Sequence, residues 1–353
     1  MAPRDADNKS FPGTSNILIR GTNWIGDAVM TLPAVAAIRS SHPQARISVL
    51  VKPWVADIYR LCPQVDEVLL YEAPGRHAGW RGIFRLAGEL RQRRFDMAIL
   101  LQNAIEAAII ARLAGIPLRL GYNTDARGFL LTQAVKLTPA RKKIHQADYY
   151  LKMVQELGCT APGQAPFFRL TAAEASLADD ELSRQGLPAP QLLIGMAPGA
   201  TYGPAKKWFP ERFGALAKRL GEGYGATTIL FGSAADRETT AAVRRSSGLP
   251  LVDLAGKTGL RSAVALVARC RLFISNDSGL MHVAGALNIP TIAIFGSTNP
   301  TTTSPLGERS TVISRYMSCS PCLKTTCPTD FRCMDAITVD AVYEIARGML
   351  CDG

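Results

Sequence analysis

Short apolar runs alternate with amphipathic stretches through the first half of the chain. The runs are rich in Val, Ile and Leu, which is typical of parallel strands buried on both faces. Between them, apolar residues recur at helical spacing. The pattern predicts an α/β domain with a doubly wound sheet, whose strands lie at residues 16–20, 46–51, 65–70 and 96–101.

The same pattern restarts after residues 158–190, where prolines and glycines interrupt a helix-rich segment and indicate a linker. A second set of strands is predicted at residues 192–196, 226–231, 250–254, 271–275 and 290–295. We therefore expect two Rossmann-like domains whose strands end at a shared central cleft. The expected divisions are a disordered tail (1–15), a first domain (16–185), a second domain (186–337) and a C-terminal helix that packs back on the first domain (338–353).

Composition agrees with a folded globular protein of this size. Of the 353 residues, 47% are hydrophobic and 20% are charged, which excludes an intrinsically disordered chain. The net charge of +11 favours anionic partners: nucleic acid, phosphorylated sugars or an acidic membrane face. Nucleic acid is the least favoured of these, because the basic residues are scattered and no aromatic-basic module is present.

No apolar stretch predicts a membrane span, since the best candidate, residues 97–116, is interrupted by four polar or charged side chains. Eight cysteines without an export signal indicate a reducing compartment. We therefore expect a cytoplasmic protein. Because its net charge is positive, we also expect that it can attach peripherally to the inner leaflet of the inner membrane.

The loop after the first strand, residues 21–27, contains two glycines at the spacing of a phosphate-binding loop. Asp27 stands where such a loop needs lysine, so phosphate binding is excluded there. One interpretation of Asp27 is a helix cap, because a carboxylate at a helix N-terminus accepts backbone N–H groups. The other is a general base at the carboxyl end of a strand, with Gly26 allowing a substrate to approach. Both remain open, and they are compatible.

A second polar loop follows the first strand of the second half. It contains Thr201, Lys206 and Lys207 among small residues, and such a loop suits a diphosphate through backbone N–H groups and ammonium ions. The alternative is an ordinary surface loop with solvated lysines.

A third polar loop carries Asp277, Ser278 and Gly279 from a strand into a helix whose first turn includes His282. The N–H groups of that helix end attract an anion. The alternatives are a plain N-cap at Asp277 or Ser278 and a buried structural histidine. A ribose contact is predicted from the loop after residue 231, which supplies Ser233, Asp236 and Glu238.

These loops resemble those of the ADP-heptose:lipopolysaccharide heptosyltransferases, glycosyltransferase family 9, which have a two-domain GT-B fold. The resemblance covers almost the whole chain after the tail. The stretch 203–206 is most similar to heptosyltransferase II, the branch that adds the second heptose. The motifs that carry the resemblance lie at residues 19–33, 197–210 and 276–284.

The resemblance implies an inverting transfer of heptose from ADP-heptose to the inner core of lipopolysaccharide, with Asp27 as the general base. It also implies donor contacts from Thr201, from Lys206 or Lys207, and from Asp277, Ser278, Gly279 and His282. No metal would be required, because lysine and helix-end N–H groups would stabilise the departing ADP. The acceptor would be the heptosylated Kdo–lipid A core, with phosphate contacts from Arg141, Lys142 and Lys143.

Four cysteines, Cys319, Cys322, Cys327 and Cys333, crowd into one short segment. Four thiolates so close together can surround a tetrahedral zinc or iron ion. Only one C-x2-C pair is present, however, whereas structural zinc sites usually have two. A structural metal, free thiols and disulfides therefore all remain open.

The alternative enzymatic functions would also act on a nucleotide-linked sugar. The acceptor could instead be the core before its first heptose or an autotransporter protein, because sequence does not decode the acceptor loops. A sugar-nucleotide epimerase of similar fold, which needs no acceptor, is another alternative. A non-catalytic nucleotide or nucleic-acid binder that uses the positive charge is disfavoured, because the basic residues are scattered and no aromatic-basic module is present.

Overall fold

The computed structural model describes residues 14–160, 167–187 and 192–351, which form two compact units divided between Arg169 and Leu170. The first unit contains six strands and six α-helices among its described residues. In chain order they are β1 (Asn16–Arg20), α1 (Ile25–Met30), α2 (Leu32–Ser41), β2 (Arg46–Val51), α3 (Ala56–Arg60), β3 (Glu67–Leu70), α4 (Gly79–Gln92), β4 (Met97–Leu100), α5 (Ile105–Leu113), β5 (Leu118–Tyr122), β6 (Gln133–Val135) and α6 (Gln146–Glu156).

The second unit repeats this architecture with additional short helices. Its described elements are α7 (Ala172–Arg184), β7 (Leu193–Ala197), α8 (Pro210–Tyr224), β8 (Thr227–Leu230), α9 (Arg237–Ser247), β9 (Val252–Asp253), α10 (Leu260–Val267), β10 (Leu272–Asn276), α11 (Gly279–Ala286), β11 (Thr291–Phe295), α12 (Pro300–Thr303), β12 (Ser310–Ser314), α13 (Arg332–Asp335) and α14 (Val339–Cys351).

Both sheets are parallel and have the same strand order. The first runs β3-β2-β1-β4-β5-β6 and the second runs β12-β11-β10-β7-β8-β9, which is the first order read from the opposite edge. In each sheet the order reverses between two central strands, β1 and β4 or β7 and β10, and ligands of such sheets bind at this point. The predicted α/β class and the pair of Rossmann-like units of the GT-B fold are confirmed.

The predicted helix after β1 is divided in two at Thr31. Pro33, the second residue of α2, has no backbone N–H and cannot continue the hydrogen bonding of α1. The Thr31 hydroxyl donates to the Ala28 carbonyl at 2.7 Å and hydrogen-bonds to the Tyr59 hydroxyl at 2.9 Å, so the break is held in place from both sides.

Two expected divisions of the chain differ from the structure. Helix α7, assigned by sequence to the first domain, packs against α10 of the second unit. The buried Glu174 of α7 forms an ion pair with Arg261 of α10. An amphipathic pattern predicts one apolar face but does not specify which sheet that face will cover, so the boundary moves from residue 185 to 169.

The C-terminal helix was predicted to pack on the first domain, whereas the structure assigns it to the second unit. Helix α14 packs against α8 of its own unit, and its Val342 and Ala346 lie fully buried in a core cluster with Trp208 and Phe213. The predicted tail falls largely on residues 1–13, which lie outside the described ranges. Across those ranges, none of the helices combines the length and apolar character needed to cross a membrane.

We expect Val342→Ala to lower the free energy of unfolding of the second unit by about 2 kcal/mol, because it leaves a cavity in a packed core. The measurement is urea unfolding followed by Trp208 fluorescence, in a background where Trp24, Trp54 and Trp80 are replaced by Phe. Glu344→Ala, on the exposed face of α14, is the control and is expected within about 0.5 kcal/mol of the parent. An unchanged transition in Val342→Ala would mean that α14 is not part of this core.

Candidate active site

The loop after β1 is pressed tightly against its neighbours at Gly21. A Cβ atom at this position would lie 2.6 Å from Val51 Cγ1 and 2.8 Å from the Tyr59 hydroxyl, so only glycine fits. Arg20 braces the loop from inside the unit: it is 1% exposed and donates to the Gly21 carbonyl at 2.5 Å and to the Asn23 side-chain oxygen at 3.1 Å. The loop that leads into α1, the helix that carries Asp27, is therefore held in place at both points.

Burial lowers the pKa of Arg20 to about 10, and the nearby carboxylate of Glu106 opposes this shift. A pKa of about 10 leaves the guanidinium charged at neutral pH. The loop after β1 is thus supported by a buried positive charge whose hydrogen bonds go to backbone and amide oxygens.

Asp27 lies at the third position of α1 and is partly exposed. The N-cap position belongs to Trp24, so Asp27 is not the N-cap residue, although its carboxylate still interacts favourably with the helix N-terminus. Burial, and then the negative charge of Asp27, raise the pKa of Tyr150 on α6. Helix α1 packs against α6, and the Asp27 carboxylate lies close enough to Tyr150 to disfavour ionisation of its hydroxyl.

The predicted basic group beside α6 is divided by the structure. Arg141 forms an ion pair with Glu156 and donates to the Lys136 carbonyl at 3.0 Å, so its guanidinium already has partners within the first unit. Lys142 and Lys143 are exposed in the segment that leads into α6. The two lysines, and not Arg141, are the members of this group that are exposed to an anionic ligand.

In the second unit, Asn276 joins the two loops that follow β7 and β10. It is fully buried at the end of β10; its side-chain oxygen accepts from the Trp208 backbone N–H at 2.9 Å, and its amide donates to the Pro198 carbonyl at 2.7 Å. The loop after β7 is therefore fixed at both ends against the neighbouring strand, at the switch point of the sheet.

The structure separates the two lysines of that loop. Lys206 Nζ lies 2.6 Å from the Asp277 carboxylate, which also accepts from the Thr298 hydroxyl at 2.7 Å. Lys207 points elsewhere: its ammonium lies 3.7 Å from Asp236 and 3.5 Å from the Thr239 hydroxyl, at the start of α9. Lys206 is therefore the lysine that lies beside the loop after β10.

The N-terminus of α11 follows Asp277 directly. Ser278 is its N-cap residue, but within the described chain its side chain makes no capping hydrogen bond and is instead bonded to the Ser275 hydroxyl at 2.9 Å. The first N–H groups of the helix, beginning with Gly279, are therefore left available to an anion. His282 lies in the same turn and is 3% exposed. Ser278 thus occupies the N-cap position without capping the helix through its side chain, and the Asp277 carboxylate is bonded to Lys206 and Thr298.

Two of the three residues predicted to contact a ribose, Ser233 and Asp236, hydrogen-bond to each other. Asp236 is buried and accepts from the backbone N–H and the hydroxyl of Ser233, at 3.0 and 2.7 Å, so the pair closes a capping box on the short 3-10 turn, Ala234–Asp236, that leads into α9. A Cβ atom on Gly199 would lie 2.3 Å from Asp236, which shows how closely the loop after β7 packs on this cap. Glu238 and Thr201 are exposed. Asp236 therefore has a structural role that its sequence position alone did not reveal.

The four clustered cysteines line one cavity of about 80 Å³ together with Ala205 and Ser297. Across the described residues, no group of three or more His, Cys, Asp or Glu side chains is arranged to hold a metal ion. All four cysteines are free thiols. Hydrogen bonding to Thr329 lowers the pKa of Cys327, whereas burial raises the pKa of Cys333.

The same cysteine-rich segment packs against the loop after β7 and supports it. The Ala205 N–H donates to the Thr325 carbonyl at 3.0 Å, and the Tyr202 hydroxyl donates to the Leu323 carbonyl at 2.9 Å. A Cβ atom on Gly203, whose φ is +153°, would lie 2.3 Å from the Thr325 carbonyl oxygen. The segment therefore determines the position of Lys206.

Sequence reasoning missed Asn276, Thr298 and Tyr202 as parts of the site. Thr298 had a usable signal, because it follows a predicted strand, β11, just as Asp277 follows β10. The ring of Tyr202 lies 4.9 Å from Lys206 Nζ, a cation–π contact that no sequence pattern predicts. Asn276 was visible within the motif, but its role as the link between two loops depends on tertiary structure.

Comparison with known proteins adds independent evidence. A profile of Glycosyltransferase family 9 (heptosyltransferase) matches residues 83–331. Lipopolysaccharide heptosyltransferase 2 of Salmonella typhimurium is 35% identical over 312 residues, which span 84% of this chain and 87% of that protein. The corresponding protein of Escherichia coli K12 is 33% identical over 311 residues, with the same coverages. The solved structure of E. coli ADP-heptose lps heptosyltransferase II matches with a TM-score of 0.81 at 30% identity, covering 96% of this chain and 99% of that one.

Gly203→Ala tests the support of the loop after β7. The added methyl group meets the Thr325 carbonyl and requires an unfavourable φ, so we expect the loop to move and the dissociation constant for ADP to rise by about tenfold or more. Isothermal titration with ADP measures this. Gly225→Ala is the matched control: it also has a positive φ, +64°, but no described atom lies within 4 Å of the new methyl group. Equal ADP affinity in both variants would contradict the supporting role of Thr325.

Proposed function

We propose that this chain, which belongs to glycosyltransferase family 9, the heptosyltransferases, transfers L-glycero-D-manno-heptose from ADP-heptose to the inner-core heptose of lipopolysaccharide. The observation that carries this proposal is the pair of different sites at the two switch points. The first unit presents a carboxylate, Asp27, and the second presents an ammonium beside an open helix end, Lys206 and Gly279.

The second unit suits the donor, because a diphosphate needs positive charge and N–H donors. Lys206 has three N–H groups, and its bond to Asp277 orients the ammonium while leaving other donors for phosphate oxygens. The N–H groups at the start of α11 add partial positive charge. Thr201, Ser278 and His282 are assigned to the same donor site. Lys207, held at the start of α9, is assigned a supporting role.

The first unit suits the acceptor. Asp27 would accept the proton of an acceptor hydroxyl while that oxygen attacks the anomeric carbon of the heptose. The new C–O bond forms as the bond from the anomeric carbon to the β-phosphate oxygen breaks, and ADP leaves with the electron pair. A single displacement inverts the anomeric configuration. Lys206 and the N–H groups of α11 would stabilise the charge on departing ADP, so the proposal requires no metal or other cofactor.

The acceptor is assigned from the relatives and from charge. The named relatives with 33 to 35% identity are type 2 lipopolysaccharide heptosyltransferases, which favours an acceptor that already carries one heptose. Lys142 and Lys143 are exposed and suit the phosphates of a lipid A core, and Gly26, which has no side chain, precedes Asp27. Transfer at the cytoplasmic face of the inner membrane follows from an acceptor of this kind. The competing acceptors are a core without heptose and an autotransporter protein.

The test supplies purified protein with ADP-heptose and with Kdo2-lipid A bearing either no heptose or one. We expect product only with the acceptor that carries one heptose, and we expect Asp27→Asn to reduce its formation by about 10²- to 10⁴-fold while ADP affinity stays unchanged, because the base is lost but the donor site is not. Product formation measured by mass spectrometry, together with ADP titration, gives both values.

Asp57→Asn is the matched control, since Asp57 also lies in the first turn of a short helix of the same unit, where it forms an ion pair with Arg60 at 2.9 Å. It should keep nearly full turnover. Full turnover in Asp27→Asn would remove the general base from the proposal. Consumption of ADP-heptose without any acceptor would instead indicate a non-transferase activity such as epimerisation.

A further inference from the structure

Helix α4 of the first unit exposes two large aromatic side chains on one face. Trp80 is 66% exposed and Phe84 is 59% exposed, and they lie four residues apart, one above the other along the helix. Arg81 and Arg85 are exposed beside them. We call these four residues the α4 face. Nothing in the proposed transfer chemistry uses them.

The α4 face is not required for folding of the unit. The opposite side of the helix carries Ile83, Leu86, Ala87 and Leu90, which are buried in the core cluster of the first unit. That side alone gives an amphipathic helix its normal attachment to a sheet. Trp80 and Phe84 therefore add apolar surface exposed to water, and adjacent exposed apolar surface of this kind marks an interaction site.

The α4 face is presented by a firmly held helix. A Cβ atom on Gly82 would lie 2.1 Å from the His77 backbone, so the first turn of α4 rests directly on the preceding loop. The buried His77 accepts from the Glu72 N–H at 3.0 Å, and Arg76 is paired with Glu89 of α4 at 2.6 Å. The orientation of the two aromatic rings is thus determined by the fold of the unit.

The charge around the α4 face is strongly positive. Residues 76–94 contain six arginines and a single carboxylate, Glu89, which is already paired. Within the described ranges, no ion pair involves Arg81 or Arg85. Arg85 donates to the Arg76 carbonyl at 3.3 Å. Exposed aromatic rings beside arginines that have no carboxylate partner in the described chain match an interface between apolar lipid chains and anionic headgroups.

The α4 face also lies at the functional end of the unit. Helix α4 follows β3, so its N-terminal turn, with Trp80, begins on the side of the sheet where the strands end. The loop after β1 that carries Asp27 leaves the same edge. A surface bound by Trp80 would therefore lie on the side of the unit to which the acceptor is assigned.

We propose that the α4 face docks on a bilayer surface that contains anionic phospholipid. The two rings would enter the boundary between headgroups and acyl chains, while Arg81 and Arg85 would contact lipid phosphates. The inference rests on the proposed function only in that a lipid-anchored acceptor gives the docking a purpose. The α4 face itself is defined by exposure and charge.

The test is co-sedimentation of the purified full chain with vesicles of phosphatidylethanolamine and phosphatidylglycerol, compared with vesicles of phosphatidylcholine alone. We expect binding to the anionic vesicles that weakens as salt is raised, and little binding to the zwitterionic ones. The double variant Trp80→Ala/Phe84→Ala should bind at least about tenfold more weakly, since two apolar anchors are removed. Arg81→Gln and Arg85→Gln should each weaken binding by about fivefold.

Phe129→Ala is the matched control, because Phe129 is 80% exposed in the same unit but lies outside α4. It should bind like the parent. The tryptophan emission of the parent should shift to shorter wavelength on anionic vesicles, and this shift should be smaller in Trp80→Phe.

Equal partitioning of the parent and Trp80→Ala/Phe84→Ala, or equal binding to both kinds of vesicle, would overturn the proposal. Failure of the parent to bind anionic vesicles would do the same. Vesicle binding requires no turnover, so a parent that binds but transfers no heptose would refute the proposed function and leave the docking inference standing. With a deacylated, water-soluble acceptor, Trp80→Ala/Phe84→Ala should keep the parent turnover.

Discussion

The pairing of Lys206 with Asp277 is the interaction on which the candidate donor site depends. It joins the loop after β7 to the loop after β10, the two strands between which the order of the second sheet reverses. Asn276 reinforces the same connection with hydrogen bonds to Trp208 and Pro198. An ammonium held in this way does not have to be ordered when a ligand binds, which reduces the entropic cost of binding. Its position follows from two strands and not from one flexible loop.

The anchoring of this loop explains two features that have no direct role in chemistry. Trp208 is fully buried and donates through its indole N–H to the Ile337 carbonyl at 2.9 Å, which ties the loop to the segment before α14. The cysteine-rich segment supports the other side through Thr325. The C-terminal helix and the cysteines therefore support the geometry around Lys206. In the first unit, the buried Arg20 supports the loop that leads to Asp27 by hydrogen bonds to Gly21 and Asn23.

Much of the fold follows from sequence because buried parallel strands are continuous apolar runs. The strands β1 and β2 were predicted to the residue, and the other seven predicted strands to within two residues at either end. The three missed strands, β5, β6 and β12, lie at or beside sheet edges, where polar and glycine residues weaken the pattern. The placement of α7 and α14 could not be predicted, since one apolar face fits either sheet.

Part of the candidate site was also predictable from sequence, and part was not. The loops with Asp27, Lys206 and Asp277 were predictable because they follow apolar strands, and parallel strands end at one edge. The use of Asp236 as a helix cap, the pairing of Arg141 with Glu156 and the absence of a chelating arrangement among the four described cysteines depend on side-chain directions. Spacing along a chain does not determine those directions. It also left Lys206 and Lys207 equivalent, whereas their partners in the fold are different.

The most direct test of this account is the affinity for ADP of Lys206→Met and Lys207→Met, measured by isothermal titration. A charge-assisted hydrogen bond to phosphate contributes about 1.5–3 kcal/mol, so the account predicts that Lys206→Met weakens binding by about tenfold or more. Lys207→Met should change it by much less, because that ammonium lies beside Asp236 at the start of α9. Equal losses in the two variants, or a larger loss in Lys207→Met, would contradict the assignment of the donor site to Lys206 and Asp277.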